Sequence, residues 1–155
     1  MRKLLVAFSL VLLIAGSSAA ETAEEIVAWH KGYVQLWHDA NVDIDAVAAH
    51  FAVPSYSVGP DGVTQLVATK EMIRSRMVAT VERLKQQKWV RGEVQVKASM
   101  LNPGAALIEA EWTNYYTTDA TPPGGCRVRS FFYLAAKTKE GWKLLSSQLG
   151  PCKVP

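Results

Sequence analysis

Apolar residues recur every three or four positions in three segments of the chain, which is the period of an amphipathic helix. The segments cover residues 21–40, 43–51 and 70–87. In the first segment Ile26, Tyr33 and Trp37 fall on one face, and Thr69 is a suitable N-cap for the third. The pattern therefore predicts three helices before residue 88.

Further along the chain the period changes to two, which is typical of half-buried strands. In residues 89–100, Val94 and Val96 alternate with Gln95 and Lys97. Comparable strand-like segments follow at residues 105–116, 126–137 and 142–152. Because turn-forming residues separate these segments, we expect long antiparallel strands.

A shorter strand pair is predicted between the second and third helices. There the stretch SYSVGPDGVTQ, residues 55–65, breaks at Gly-Pro-Asp-Gly. Proline sets φ, aspartate bonds the local backbone and glycine takes a positive φ, which is the chemistry of a tight turn. We therefore expect Asp61 to shape a hairpin turn, and a catalytic carboxylate at this position is the alternative.

Three helices followed by long antiparallel strands indicate an α+β domain. This order, with the pieces DIDAVAAHF, SYSVGPDG, ATKEMIRSRM and KEGWKLLSSQLG, resembles the nuclear transport factor two-like (NTF2-like) superfamily. That superfamily includes steroid isomerases, SnoaL-like polyketide cyclases and uncharacterised exported members. The resemblance implies a curved antiparallel sheet wrapped around three helices, a cone-shaped cystatin-like α+β roll with a pocket inside the cone.

The resemblance also locates three catalytic positions of the steroid isomerases. Their general base is an aspartate before a proline, and the matching residue here is Gly59, before Pro60, which cannot take a proton. Their hydroxyl donor on the first helix matches Tyr33, and their protonated acid falls near Ser130. Since one role of three is kept, an isomerase of that kind is disfavoured.

Two other groups remain weak candidates for a catalytic base beside Tyr33. His30 lies one helical turn before Tyr33 and would act as a base if it were buried beside the pocket. No carboxylate at helical spacing orients it, so a core histidine is the favoured interpretation. Asp61 is the other candidate.

The strand registers predict which side chains share the pocket face. If residues 138–141 form the last hairpin turn, Phe131 faces Gln148. Closing the preceding loop places Trp112 across from Phe131. The predicted ligand pocket consists of Tyr33, Trp37, Tyr56, Trp112, Asn114, Arg129, Phe131, Tyr133 and Gln148. Aromatic rings with a few polar groups are typical of small-molecule sites, although such rings are also common in cores.

Arg129 has the most specific chemistry of this set. No acidic residue on the same patch neutralises it, and an unpaired buried charge is costly, so a ligand carboxylate is a natural partner. A solvent-exposed arginine near the open end of the sheet is the alternative.

The first twenty residues, MRKLLVAFSLVLLIAGSSAA, have the features of a secretory signal. Arg2 and Lys3 precede an apolar run at residues 4–15, and small residues end at Ala20, where cleavage is expected. The run is short for a membrane span. We therefore predict one exported domain, residues 21–155, in the periplasm or outside the cell.

Charge and cysteine content narrow the possible partners. The 17 basic and 14 acidic residues come closer to balance once Arg2 and Lys3 leave, so neither nucleic acid nor a membrane surface is an expected partner. Two cysteines without a Cys or His at ligand spacing argue against a metal, and no cofactor motif is present. In an exported chain Cys126 and Cys152 are expected to form a disulfide, helped by a bulge at residues 150–151.

The favoured function is an exported binding or accessory protein for a small apolar or anionic ligand, without cofactor or metal. One alternative is an isomerase-like or cyclase-like enzyme acting in the cone pocket. Another is a partner-binding module that dimerises through the sheet. An open pocket with a titratable base favours the enzyme, an open pocket without one favours binding, and a closed pocket favours the partner.

Overall fold

The structure of the protein, a computed structural model, describes residues 22–39 and 41–153. The predicted signal peptide, residues 1–20, lies outside the described residues. Within the described ranges, none of the helices has the length and apolar character that a membrane crossing requires.

Three helices form where the apolar period predicted them: α1 (Ala23–Gln35), α2 (Ile44–Ala49) and α3 (Lys70–Gln86). Each begins after a capping side chain that accepts backbone N–H groups, and Thr22 and Glu25 form a complete capping box at α1. Helix α1 ends earlier than predicted. After Gln35 the backbone continues in tighter turns, in which the Trp37 N–H bonds the Val34 carbonyl at 2.9 Å and the His38 N–H bonds the Gln35 carbonyl at 3.2 Å.

In the described part of the chain, six strands form one open, curved sheet. They are β1 (Phe51–Val58), β2 (Thr64–Val67), β3 (Trp89–Asn102), β4 (Ala105–Tyr116), β5 (Val128–Thr138) and β6 (Gly141–Lys153), in the order β2-β1-β6-β5-β4-β3. The predicted α+β class with a sheet around three helices is confirmed. Within it, β1 pairs with β6 in parallel. The sequence did not predict this pair, because parallel strands are joined by a long crossover and no adjoining turn reveals them.

The core lies between the helices and the concave, inner face of the sheet. Its most deeply buried aliphatic side chains come from all three helices and from strands β4 and β6: Ile26, Val47, Ile73, Ile108 and Leu144. Burying each such side chain stabilises the fold by about 2 kcal/mol. These contacts set the distance between helices and sheet.

The pairing of β4 with β5 differs from the predicted register by two residues. Trp112 pairs with Arg129, and Phe131 pairs with Ala110. The loop between the strands is longer than expected, because the Asn114 N–H already bonds the Arg127 carbonyl and Pro123–Gly125 form a 3-10 turn. A shift of two keeps every side chain on its predicted face, whereas a shift of one would not.

The pairing of β5 with β6 contains a bulge that the sequence did not reveal. The register shifts by one between Leu134 and Ala135, so Phe131 pairs with Leu149 and the predicted Phe131–Gln148 pair is wrong. A second shift occurs at the predicted bulge near Gly150. A Cβ on Gly150 would lie 2.9 Å from the Ser130 carbonyl oxygen, which explains the glycine there.

The hairpin turn between β1 and β2 is confirmed. The Asp61 carboxylate accepts a hydrogen bond from the Val63 N–H at 3.1 Å, and Gly62 has a φ of 78°. The Gly59 N–H bonds the Val63 carbonyl at 3.0 Å and closes the turn. Asp61 is exposed and belongs to the turn, as its neighbours predicted.

The predicted disulfide between Cys126 and Cys152 is present, with the Cα atoms 5.7 Å apart. Cys126 ends the loop before β5, and Cys152 lies near the end of β6. The bond therefore ties the last strand to the loop that precedes its neighbour.

Candidate functional site

A cavity of about 480 Å³ lies between α1, α3 and the inner face of the sheet. Its walls are mainly aromatic: Tyr33, Trp37, Phe51, Trp89, Trp112, Tyr116, Phe131 and Tyr133. The polar lining residues are Ser57, Thr80, Arg83, Gln87, Asn114, Arg129 and Ser147. The size and composition are those of small-molecule sites, which combine apolar walls with a few placed polar groups.

Four aromatic residues, Tyr33, Trp37, Trp112 and Tyr133, form what we call the floor of the cavity, and each is at most 8% exposed. Tyr33 and Trp37 are four residues apart, so one face of α1 presents both. The Tyr33 ring meets the Tyr133 ring edge-on, with centroids 6.1 Å apart. These ring contacts join α1 to the middle of the sheet.

The floor offers hydrogen-bond donors but no base. Burial raises the pKa of Tyr33 to about 12 and that of Tyr133 well above its usual value. The Trp37 and Trp112 N–H groups oppose this rise in pKa, and neither indole nitrogen has a hydrogen-bond partner among the described residues. Both tyrosines are therefore protonated at neutral pH.

A second part of the lining, which we call the mouth, is formed by Arg83, Tyr116 and Arg129. Arg83 comes from the last turn of α3, Tyr116 ends β4 and Arg129 lies near the start of β5. Arg83 is exposed, and the other two are half-buried. Burial raises the pKa of Tyr116, while Arg129, Arg127 and Arg83 oppose that rise.

Asn114 lines the cavity, but its side chain already has partners in the protein. Its Oδ1 accepts a hydrogen bond from the Trp89 indole at 3.0 Å, and its Nδ2 donates to the Arg127 carbonyl at 3.4 Å. The amide therefore fixes the wall next to the mouth. Gly92 serves the same wall, because a Cβ there would lie 2.9 Å from the Trp112 ring.

His30 lies behind the floor and does not line the cavity. Its side chain is completely buried, with ring centroids 4.9 Å from Tyr133 and 5.2 Å from Tyr33. Burial, with a smaller contribution from His50, lowers the pKa of His30 to about 4, so the ring is neutral at pH 7. Neither ring nitrogen has a hydrogen-bond partner among the residues that the structure describes.

Among the described residues that line the cavity there is no Asp, Glu, His or Lys, and the one cysteine, Cys126, is in the disulfide. Asp61 lies in the turn outside the lining. Across residues 22–39 and 41–153, no group of three His, Cys, Asp or Glu side chains could hold a metal ion. The described lining can therefore donate hydrogen bonds and attract negative charge, and no side chain in it accepts a proton near neutral pH.

The family model described as NTF2-like protein (DUF6841) matches residues 23–152. The chain belongs to this NTF2-like family. The predicted resemblance to the NTF2-like superfamily is thereby confirmed. No curated protein sequence matches the chain.

Solved structures share the NTF2-like fold at low sequence identity. A cystatin-like domain of unknown function from Nostoc punctiforme has a TM-score of 0.59 at 17% identity, covering 86% of this chain and 78% of that one. An NTF-2 like protein of unknown function from Shewanella oneidensis has 0.61 at 16%, covering 83% and 98%. Aln2 from a Streptomyces species has 0.62 at 14%, covering 84% and 92%. At these identities the likeness shows the fold.

Most of the predicted pocket residues of this NTF2-like chain do line the cavity: Tyr33, Trp37, Trp112, Asn114, Arg129, Phe131 and Tyr133. Gln148 does not, because the bulge pairs it with Phe132 on the outer face. Tyr56 does not either, since it is 51% exposed and pairs with Ser146, on that same face. Whether the lining residues bind a ligand stays a prediction.

The sequence interpretation missed the contribution of α3 to the NTF2-like cavity. Lining residues on or directly after this helix are Met77, Thr80, Arg83, Leu84 and Gln87. Met77 and Leu84 belong to the apolar stripe that predicted the helix. Thr80, Arg83 and Gln87 lie beside it at steps of three and four, so widening that stripe would have found them. The bulge in β6 also brings Ser147 and Leu149 into the lining, and no sequence signal marked them.

Proposed function

We propose that this NTF2-like protein is exported and binds a small, largely apolar molecule in the cavity. The observation that carries the proposal is an aromatic cavity of about 480 Å³ whose described lining holds no carboxylate, imidazole or amine. A cavity of this kind binds through apolar contact and through directed donors, without proton transfer to the protein.

Among the described residues, no base lies where the enzyme alternative needs one. A general base must come within hydrogen-bond reach of the proton that it removes. His30 lies behind Tyr33 and Tyr133, and Asp61 lies in the outer turn. The raised tyrosine pKa values also leave the hydroxyls as donors at neutral pH. These positions support binding over an isomerase-like or cyclase-like reaction.

Export is part of the proposal and is supported by the basic and apolar pattern of residues 1–20 and by the disulfide between Cys126 and Cys152. The intact mass of protein recovered from its own host is the test. A chain beginning after Ala20 in the periplasm or the medium would support export. A full-length chain retained in the cytoplasm would contradict it.

The binding proposal is tested with phenylnaphthylamine, a neutral apolar dye that fluoresces when it leaves water. Thr80 lines the cavity, so Thr80→Trp places a large ring inside it. Val78 lies on the same helix, is 50% exposed and does not line the cavity, so Val78→Trp is the matched control. We expect saturable binding to the wild type and to Val78→Trp, and at least a tenfold loss in Thr80→Trp.

Equal binding by both tryptophan variants, or no saturable binding by the wild type, would contradict the proposal. Native mass spectrometry of the protein purified from its own host adds a second measurement. A retained small molecule released on activation would give the mass of the natural ligand. The same spectrum counts the copies of the chain and so tests the predicted homodimer.

A further inference from the structure

The basic side chains around the cavity differ in whether an acid neutralises them. Near the end of α3, Lys85 pairs with Glu82 at 3.2 Å and Lys88 pairs with Asp119. Arg91, on the outer face of β3, pairs with Glu93. In the described part of the chain, by contrast, Arg83, Arg127 and Arg129 make no ion pair.

These three arginines come from different segments but act on one residue, Tyr116. All three oppose the rise in the Tyr116 pKa that burial causes, and no carboxylate among the described residues contributes to that pKa. Arg83 and Arg129 also line the cavity. The mouth therefore carries an excess of positive charge that the described residues do not compensate, and an anion bound there would relieve the repulsion between like charges.

The sheet register places this charge next to the floor. Arg129 and Trp112 are direct cross-strand partners on the inner face, and such partners have Cβ atoms about 5 Å apart. A molecule whose apolar part contacts Trp112 would therefore have its neighbouring charged substituent beside Arg129. The half-buried position of Arg129 makes a charge-assisted hydrogen bond stronger than it would be in water.

We propose that the cavity binds an amphipathic organic acid, with its apolar body on the floor and its carboxylate held at the mouth by Arg129 and Arg83. This inference rests on the proposed function and names its ligand class. A guanidinium presents a planar fork of N–H donors that matches a carboxylate. The protonated Tyr116 hydroxyl adds a third donor at the same place.

The experiment compares naphthoate with naphthamide, which share one apolar body and differ in the charged group. Each competes with phenylnaphthylamine for the wild-type protein. We expect naphthoate to bind about tenfold more tightly than naphthamide, the size of one charge-assisted hydrogen bond. Raising the salt concentration should weaken naphthoate and leave naphthamide unchanged.

Arginine variants then locate the charge that the acid uses. Arg129→Gln should weaken naphthoate about threefold, and adding Arg83→Gln should remove the rest of the preference for naphthoate over naphthamide. Arg91→Gln is the matched control, because Arg91 is paired with Glu93 and does not line the cavity. Naphthamide should bind all the variants equally. If Arg129→Gln fails to fold, Arg83→Gln alone still tests the mouth, since Arg83 is exposed.

Equal binding of naphthoate and naphthamide by the wild type would overturn this inference while leaving apolar binding intact. A preference for naphthoate that survives Arg83→Gln with Arg129→Gln would overturn it as well, because the acid would then lie elsewhere. Absence of phenylnaphthylamine binding would instead overturn the proposed function, and this inference with it.

Discussion

The floor and the mouth of the cavity are built from different kinds of residue in different environments. The floor consists of aromatic rings that are at most 8% exposed and contact one another, as Tyr33 does Tyr133 at 6.1 Å. The mouth consists of half-buried or exposed side chains from a helix end and strand ends, and its arginines, Arg83 and Arg129, have no acidic partner among the described residues.

The floor therefore contributes mainly to stability, and the mouth mainly to ligand recognition. The rings of the floor pack against one another in the folded protein without a ligand, and this packing adds to the free energy of unfolding. The charges of the mouth gain little from folding, because no described carboxylate faces them. A bound anion would pair with these charges. We therefore expect substitutions at the floor to change stability and substitutions at the mouth to change affinity. The disulfide is the exception, since it stabilises the segment beside the mouth.

The largest expected effect is the loss of that disulfide. Cys126 and Cys152 close a loop of 26 residues, and Cys126 lines the cavity. Replacing both by serine should lower the free energy of unfolding by about 3 kcal/mol, because the unfolded chain gains loop entropy. Urea unfolding at neutral pH measures this, and reduced wild-type protein is the control. A loss below about 1 kcal/mol would show that other contacts hold the loop before β5.

The next effect concerns the pH dependence of stability that His30, behind the floor, produces. The pKa of His30 is about 4 in the folded protein and near 6.5 when unfolded, so the unfolded chain binds the proton more readily. Stability is therefore complete above about pH 6.5 and falls as the pH drops toward 4, by about 3 kcal/mol from this group. Comparing urea unfolding of the wild type and of His30→Leu across this range isolates the contribution.

Because other groups also titrate between pH 4 and 6.5, the measurement that matters is the difference between the wild type and His30→Leu. That difference should change steadily in favour of the variant as the pH falls. Parallel stability curves would mean that His30 is already protonated or solvated in the folded state. The complete burial of its side chain argues against that outcome.

The sequence predicted the floor well because periodic residues form it. Tyr33 and Trp37 follow helical spacing, and Trp112 and Tyr133 follow strand alternation. The predicted face of Arg129 is correct although the predicted pairing is wrong. The pairing was wrong by two residues, and a shift of two residues leaves each side chain on the same face of the sheet. Residues that depend on irregular backbone were not predicted. A bulge turns Gln148 away from the cavity, and no turn residue in the sequence marks that bulge.

A smaller effect is expected for Tyr33→Phe. The Trp37 N–H group and the Tyr133 hydroxyl oppose the rise in the Tyr33 pKa, so removal of the Tyr33 hydroxyl should lower the free energy of unfolding by at most about 1 kcal/mol. Tyr133→Phe is the matched comparison, because it removes the other buried hydroxyl of the floor from the facing strand. The ratio of naphthoate to naphthamide affinity should stay at the wild-type value. Loss of that preference in Tyr33→Phe would place the carboxylate at the floor and contradict the division between floor and mouth.

The smallest effect is expected for Asp61→Asn, which lies outside both regions. An asparagine Oδ1 can accept the same hydrogen bond from the Val63 N–H that the carboxylate accepts at 3.1 Å. Stability should therefore change by less than about 0.5 kcal/mol, whereas Asp61→Ala, which removes the acceptor, should cost about 1 kcal/mol. Dye affinity should be unchanged in both variants. Weaker binding in Asp61→Asn at normal stability would mean that the negative charge itself acts on the ligand, because the shape and the hydrogen bond of the turn are retained.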